Sequence, residues 1–217
     1  PPQVFMARRS CSKRFQGEEV SELGVMMRQR DHFTRRAVQE GYRARSAFKL
    51  KQISRKYEMI GPGRSVLDLG SWPGGWLLVA KELARDGLVV GVDLTPIKPI
   101  NNVHFIHGDV NSKDVQEKIL AFGKFDVVIS DMAPKTSGII HLDVERSIDL
   151  SSMSLKIAKK VLKPGGYFLC KVFQGEGFEK FLREVRSNFD FCKSVKPEAS
   201  RQESKEMYIV AKGFIPS

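Results

Sequence analysis

The sequence predicts an α/β fold: a seven-stranded, mostly parallel sheet with helices on both faces. Three observations predict it. Short apolar runs alternate with amphipathic stretches from about residue 65 to 212, the order required by parallel strands joined through crossover helices. A Gly-rich turn follows the first apolar run directly, in Asp68-Leu69-Gly70-Ser71-Trp72-Pro73-Gly74-Gly75-Trp76. Acids also mark successive runs: Asp68 within the first, then Asp93, Asp109 and Asp131 after the second, third and fourth. In an open sheet of this kind the ligand crevice lies outside the carboxyl ends of the strands, where these acids fall.

Residues 1–25 mix Arg, Ser, Gly and Glu without a sustained period, and are expected to form a disordered basic extension to a single domain at 26–217. An Arg- and Ser-rich start also suits a mitochondrial transit peptide, but Glu18, Glu19 and Glu22 argue against one. A helical pattern runs from about Asp31 through Ser46-Ala47-Phe48-Lys49-Leu50 to Tyr57, and Gly61-Pro62-Gly63 stops it. Strands are expected at 65–69, 88–92, 103–106, 125–130, 166–172, around 190–195, and at 206–212. Helices are expected at 75–85, 112–121, 144–162 and 176–187. Lys163-Pro164-Gly165-Gly166 reads as a helix stop and tight turn before the fifth strand. Residues 132–142 form a loop after the fourth strand, at the same sheet edge as the Gly-rich turn.

A chain of 217 residues can bury one substantial core. No apolar run approaches the roughly 20 residues needed to span a bilayer, so no membrane is expected. Cys11, Cys170 and Cys192 are odd in number and far apart, which fits free thiols in a reducing compartment and gives no metal spacing. The histidines are scattered too, and no metal is expected. The formal charge of +11 is uneven: residues 1–60 hold 14 Lys and Arg against 6 Asp and Glu, and the remainder 22 against 19. A basic segment on a nearly neutral body suits an enzyme that works on a polyanion, and a nucleic acid is favoured over a merely solvated extension.

The glycine spacing, Gly70-x-x-x-Gly74-Gly75, is neither the dinucleotide pattern G-x-G-x-x-G nor a P-loop with its Lys-Ser/Thr. A strand–turn–helix without a pyrophosphate cradle points to S-adenosylmethionine before NAD or ATP. Gly70, Ser71, Pro73, Gly74, Gly75 and Trp76 would shape the turn around it, next to Asp68. Asp93, in Gly91-Val92-Asp93-Leu94, would accept both ribose hydroxyls, and Asp109 would accept from the adenine amino group with the Val110 backbone beside it. A lone Asp after a strand is commonly a helix N-cap. Four in register point instead to a ligand site.

Asp131 lies in Ser130-Asp131-Met132-Ala133-Pro134, which lacks the (Asn/Asp)-Pro-Pro-(Tyr/Phe) run that methylation of exocyclic amines usually requires. Cys170 sits inside an apolar strand and Cys192 in no suitable loop, so neither suits the nucleophile of cytosine C5 chemistry. The methyl acceptor is therefore expected to be an oxygen. Lys171 closes the strand Tyr167-Phe168-Leu169-Cys170 and directs a cation at the same crevice. Because an unpaired buried charge is costly, its natural partner is Asp131 one strand away, with Glu206 at the head of the last strand as a further member. Judged locally, Lys205-Glu206 is as readily a surface pair, and Lys49 a solvated helix position.

Gly41-Tyr42-Arg43-Ala44-Arg45-Ser46-Ala47-Phe48-Lys49-Leu50, the Gly-rich turn, Ser130-Asp131-Met132-Ala133-Pro134, and Lys196-Pro197-Glu198-Ala199-Ser200-Arg201 through Glu206-Met207-Tyr208 are similar to motifs of the FtsJ/RrmJ-type ribosomal RNA 2′-O-methyltransferases. The resemblance covers residues 28–214 in order; where the family usually has a small residue before the motif's Pro, this chain has Trp72. It implies a Rossmann-like S-adenosylmethionine-dependent fold and a Lys-Asp-Lys-Glu catalytic tetrad at Lys49, Asp131, Lys171 and Glu206. It implies RNA reaching the site past the basic helix, with Arg43, Arg45 and Lys49 as contacts. The substrate it implies is a uridine in the A-loop of large-subunit ribosomal RNA, presented within the assembled large ribosomal subunit. Lys171 would contact the 2′-oxygen, either taking its proton or orienting it. A monomeric, cytoplasmic bacterial enzyme is favoured over one of the mitochondrial matrix, because the basic segment before Gly41 is continuous with the fold.

Overall fold

The computed structural model describes residues 33–37, 39–200 and 204–216. The expected extension over 1–25, the start of the helical pattern at Asp31, and Arg201 lie outside the described residues.

Helix α1 (Ala47–Tyr57) lies over the sheet and precedes every strand in the sequence. Then follow β1 (Val66–Leu69), α2 (Gly75–Ala84), β2 (Val89–Asp93), β3 (His104–His107), α3 (Lys113–Leu120), β4 (Phe125–Ser130), α4 (Ile140–Val161), β5 (Leu162–Phe173), α5 (Phe178–Arg186), β6 (Phe189–Val195) and β7 (Glu206–Phe214). One sheet holds all seven strands, in the order β3-β2-β1-β4-β5-β7-β6. The first five strands pair in parallel, and β7 inserts antiparallel between β5 and β6.

β1 is buried at every position, as expected of a central parallel strand covered on both faces. Its alternating side chains divide the interior in two. Leu67 and Leu69 join Val92, Phe168, Leu155 and Phe181 beneath α3, α4 and α5, whereas Val66 joins Leu50, Leu77 and Tyr208 beneath α1 and α2. α1 and the β7 face that carries Tyr208 thereby share one core.

Three local expectations need correction. The single helix expected from Asp31 to Tyr57 is interrupted: residues 33–37 are helical, but Gly41 takes φ 74° and helix resumes only after Ser46. Glycine bears that left-handed geometry at little steric cost, and so it ends the first segment. α4 begins at Ile140, ahead of the expected 144, although its N-cap, Ile139, offers no capping side chain. Asp143 serves instead from within the first turn, accepting from the Ser137 amide and hydroxyl, each at 2.8 Å. The turn at 163–166 falls inside the span of β5, because Leu162 already pairs with Phe125 before the register shifts between Phe125 and Val127. That turn is tight enough that a Cβ on Gly166 would sit 2.8 Å from the Lys163 carbonyl.

Asp126, in β4, fastens the start of the sheet. It accepts from the Ser65 amide at 2.8 Å and hydroxyl at 2.7 Å, and from Lys163 Nζ at 2.9 Å. Burial pushes its carboxyl up, but the Ser65 donors and Lys163 outweigh that and hold it below the usual range.

Candidate active site

β1, β2 and β4 end side by side, with Leu69 in register with Val92 and Ser130, so the residues that follow them are delivered to one edge. A cavity of about 610 Å³ opens there, and Gly70, Asp93, Leu94, Asp109, Val110 and Asp131 line it. Asp93 accepts from the Trp72 amide at 2.8 Å and the Thr95 amide at 2.7 Å, which fixes the carboxylate while leaving lone pairs for two further donors. Asp109 is fixed in the same way by the Asn111 amide, at 2.8 Å. Gly70, at φ 80°, lies so close to the loop after β4 that a Cβ would meet Met132 Cγ at 2.5 Å.

The other residues expected around the cofactor build the wall from behind. Ser71 is buried, and its hydroxyl donates to the Asp68 carbonyl (2.9 Å) and accepts from the Val92 amide (2.9 Å), stitching the turn to β2. Pro73, after a cis peptide bond, and Gly74 face Arg43, while Gly75 packs on Ala44. Trp76 is buried, donates from Nε1 to the Ser46 carbonyl at 2.9 Å, and packs on the Tyr208 ring with centroids 5.9 Å apart. It therefore couples the Gly-rich turn to α1 and β7. Asp68 is fully buried within β1, and neither carboxylate oxygen has a hydrogen-bond partner among the described residues. Burial, and then the charges of Asp131 and Asp93, push its carboxyl well above the usual range. An acid-lined cavity above such a group suits a ligand that carries positive charge and vicinal hydroxyls.

The four residues expected to form the tetrad come together. Ser130 of β4 pairs with Cys170 of β5, so Asp131 and Lys171 follow as neighbours. Lys171 Nζ donates to Asp131 twice, to the backbone carbonyl at 2.6 Å and to Oδ1 at 2.8 Å. Lys49 reaches down from α1 to an ion pair with Glu206, 157 residues further along the chain. Burial pushes the Glu206 carboxyl up, but Lys49, with help from Tyr208, more than offsets this and leaves it lowered.

Tyr208 joins the two pairs. It lies opposite Lys171 in the β5–β7 register, and its hydroxyl reaches Asp131 Oδ1 (3.1 Å), Glu206 Oε1 and Lys49 Nζ (3.3 Å). A phenol has one proton, so it donates to one carboxylate at a time while accepting from Lys49. Burial, and then the charges of Asp131 and Glu206, push its hydroxyl well above its ordinary value, which keeps it protonated. Tyr208 is not among the residues expected at the site, yet the period-2 alternation that puts Glu206 and Tyr208 on one strand face is present in the sequence.

Arg43 and Arg45, expected to contact RNA, are engaged by backbone carbonyls. Arg43 donates to Lys98 (2.7 Å) and Pro99 (3.2 Å), and Arg45 to Ala199 (2.8 Å). They brace the loops around the site. Cys170 is fully buried, and burial pushes its thiol well up, so it offers no thiolate nucleophile. Among the described residues there is no group of three or more side chains suited to a metal ion, and no helix is long and apolar enough to cross a membrane.

Residues 42–214 match the model of the FtsJ-like methyltransferase family. The chain belongs to that family. This FtsJ-like methyltransferase is 52% identical over 189 residues to ribosomal RNA large subunit methyltransferase E of Methanothrix thermoacetophila, covering 86% of this chain and 74% of that one. It is 46% identical over 187 residues to the protein of that name from Acinetobacter baumannii, covering 84% and 87%. A Plasmodium falciparum crystal structure assigned as a ribosomal RNA methyltransferase superposes with a TM-score of 0.73 at 26% identity, covering 81% of this chain and all of that one. The matched span contains the whole sheet, the Gly-rich turn, and Lys49, Asp131, Lys171 and Glu206.

Proposed function

We propose that this methyltransferase uses S-adenosylmethionine to methylate the ribose 2′-hydroxyl of a uridine in the A-loop of large-subunit ribosomal RNA, on the assembled subunit. The observation that carries the reading is the Lys171–Asp131 pair, tied through Tyr208 to Lys49 and Glu206, at the end of an acid-lined cavity. The named relatives act on large-subunit ribosomal RNA, which supports the choice of substrate. Both organisms are prokaryotes, and a cytoplasmic setting goes with the reading.

The residues present fit the cofactor. Asp93 keeps lone pairs that would accept from the ribose hydroxyls, Asp109, which lines the same cavity as Leu94 and Val110, would accept from adenine, and the buried Asp68 would favour a cationic ligand. When bound, S-adenosylmethionine supplies a methyl group already activated by its sulfonium. What is left to the protein is to align a weak nucleophile and to dispose of one proton. Asp131 takes two of the three Lys171 N–H donors, so the ammonium is held in place with one donor left for the 2′-oxygen. As the oxygen–methyl bond forms, the methyl–sulfur bond would break and its electron pair stay on sulfur as a neutral thioether; the acidified hydroxyl proton leaves to solvent, and the methyl ether remains on the ribose. Lys49 and Glu206, linked through Tyr208, hold Asp131 against rotation and face the incoming strand.

Mapping 2′-O-methylated nucleotides in large-subunit ribosomal RNA with and without the protein tests the substrate directly; no difference at any A-loop uridine sinks it. For the site, Lys171→Ala should abolish methyl transfer while changing S-adenosylmethionine affinity by no more than about threefold, since its donors are spent on Asp131 and the acceptor. Near-wild-type turnover in that variant would overturn the assignment.

A further inference from the structure

We propose a second RNA subsite, for a nucleotide flanking the methylated one, in the cavity between α1 and the chain that leaves β6. It rests on the reading of this protein as an RNA methyltransferase. The cavity measures about 540 Å³ and is walled by Gln52, Arg55, Lys56 and Tyr57 on one side and by Lys196 and Glu198 on the other. Three cations against one acid give it a positive field, and the ring of Tyr57 adds a flat apolar surface. That pairing of charge with an aromatic platform is what single-stranded nucleic acid demands: cations for the phosphates and a ring for a base.

Two features tie this cavity to the catalytic end. Lys49, Gln52 and Lys56 recur at helical spacing on one face of α1, so the cavity begins one turn beyond Lys49 and reaches about 10 Å from it along the axis. The opposite wall is anchored to the same helix region, where Gln52 accepts from the Ala199 amide at 3.3 Å and Arg45 donates to its carbonyl at 2.8 Å. A strand with its ribose at Lys171 can follow α1 across Lys49 and into this cavity without leaving the protein.

The available charge falls here rather than on the arginines nearer the turn. Arg43 and Arg45 are bound to carbonyls, whereas Arg55 and Lys56 are exposed, and neither forms an ion pair among the described residues. Lys56 Nζ stands 5.9 Å from the Tyr57 ring centroid, and that ring packs on Phe191, itself 41% exposed. The Tyr57 hydroxyl is covered yet has no hydrogen-bond partner among the described residues.

The test is an Arg55→Ala/Lys56→Ala double variant, whose substitutions lie on the surface and leave the tetrad intact. Binding of unmodified large-subunit ribosomal RNA is measured across a salt series, alongside S-adenosylmethionine affinity and turnover at saturating RNA. RNA affinity should fall about tenfold, and the slope of log K against log salt should flatten by about 1.4, or about 0.7 for each single-strand phosphate that the variant no longer neutralises. Cofactor affinity and saturated turnover should not change. Unchanged RNA affinity and slope would overturn the subsite. So would a defect seen on assembled subunits but not on naked RNA, which would mark the cavity as a protein-binding surface. The expected loss of affinity and slope in the variant, together with wild-type protein that methylates no ribosomal RNA, would keep the subsite and sink the enzymatic reading.

Discussion

Asp68 sets folding against ligand capture at a single residue. Its carboxyl is buried in β1 without a hydrogen-bond partner among the described residues, and its surroundings push its pKa well up. A carboxyl that is harder to ionise in the folded chain contributes its full share to stability below the unfolded value near 4, and that share is lost as pH rises toward the folded value. Asp68→Asn should therefore raise the melting temperature at pH 7 by a few degrees and have little effect at pH 4, read by thermal denaturation at both. The same variant should weaken S-adenosylmethionine binding by about tenfold in calorimetry, because a neutral amide cannot take up a negative charge beneath a cationic ligand. A melting temperature unchanged at both pH values would mean that Asp68 is already relieved in the folded protein. Residues of this kind are half legible in a sequence. That Asp68, Asp93, Asp109 and Asp131 share an edge follows from strand order, but which of them line the cavity depends on side-chain direction: Asp93, Asp109 and Asp131 do, while Asp68 lies beneath. Lys49 and Glu206 show the limit, since each looks like an ordinary surface charge until the fold closes 157 residues of chain between them.

Among the elements, strands are easier to read than helix ends. β4 is expected at 125–130 and found there, because Val127-Val128-Ile129 at its centre forms the short apolar run of a strand buried on both faces. The break before α1 escapes notice, because Gly41 is a single residue inside an otherwise helical pattern and glycine is tolerated in helices at modest cost. The early start of α4 is hidden because its stabilising acid, Asp143, lies inside the helix rather than at the cap. The junction of β1, β4 and β5 carries a prediction. The lowered carboxyl of Asp126 contributes stability above its unfolded value near 4, and that contribution is lost as pH falls through the still lower folded value. Asp126→Asn should lower stability at pH 7 by about 1 kcal/mol, a figure discounted for partial exposure, and should flatten the loss of stability below pH 4. Urea titrations at pH 7 and pH 3 check it: an equal deficit at both would assign the effect to packing rather than to charge.

At the scale of the whole molecule, the order β3-β2-β1-β4-β5-β7-β6 makes the last strand the one that completes the site. Alternating runs suffice to foresee parallel pairing through β5, but nothing in the apolar pattern of 206–212 says that this strand slips antiparallel between β5 and β6. That placement delivers Glu206 and Tyr208 to Lys49, Asp131 and Lys171, so the tetrad cannot exist before the sheet is finished. Long-range pairing of this sort is slow to form. On refolding from denaturant, methyl-transfer activity should return with the slowest phase seen by circular dichroism; activity that recovers ahead of it would show that the site assembles without β7. The insertion of β7 also sets a clock on biosynthesis. At roughly 5–20 residues per second, the chain from position 50 through Glu206, a separation of 157 residues from Lys49, takes about 8–30 s to translate. Throughout that interval the nascent polypeptide carries its basic helix without the partner of Lys49, so on the proposed function it would meet RNA before it could modify it.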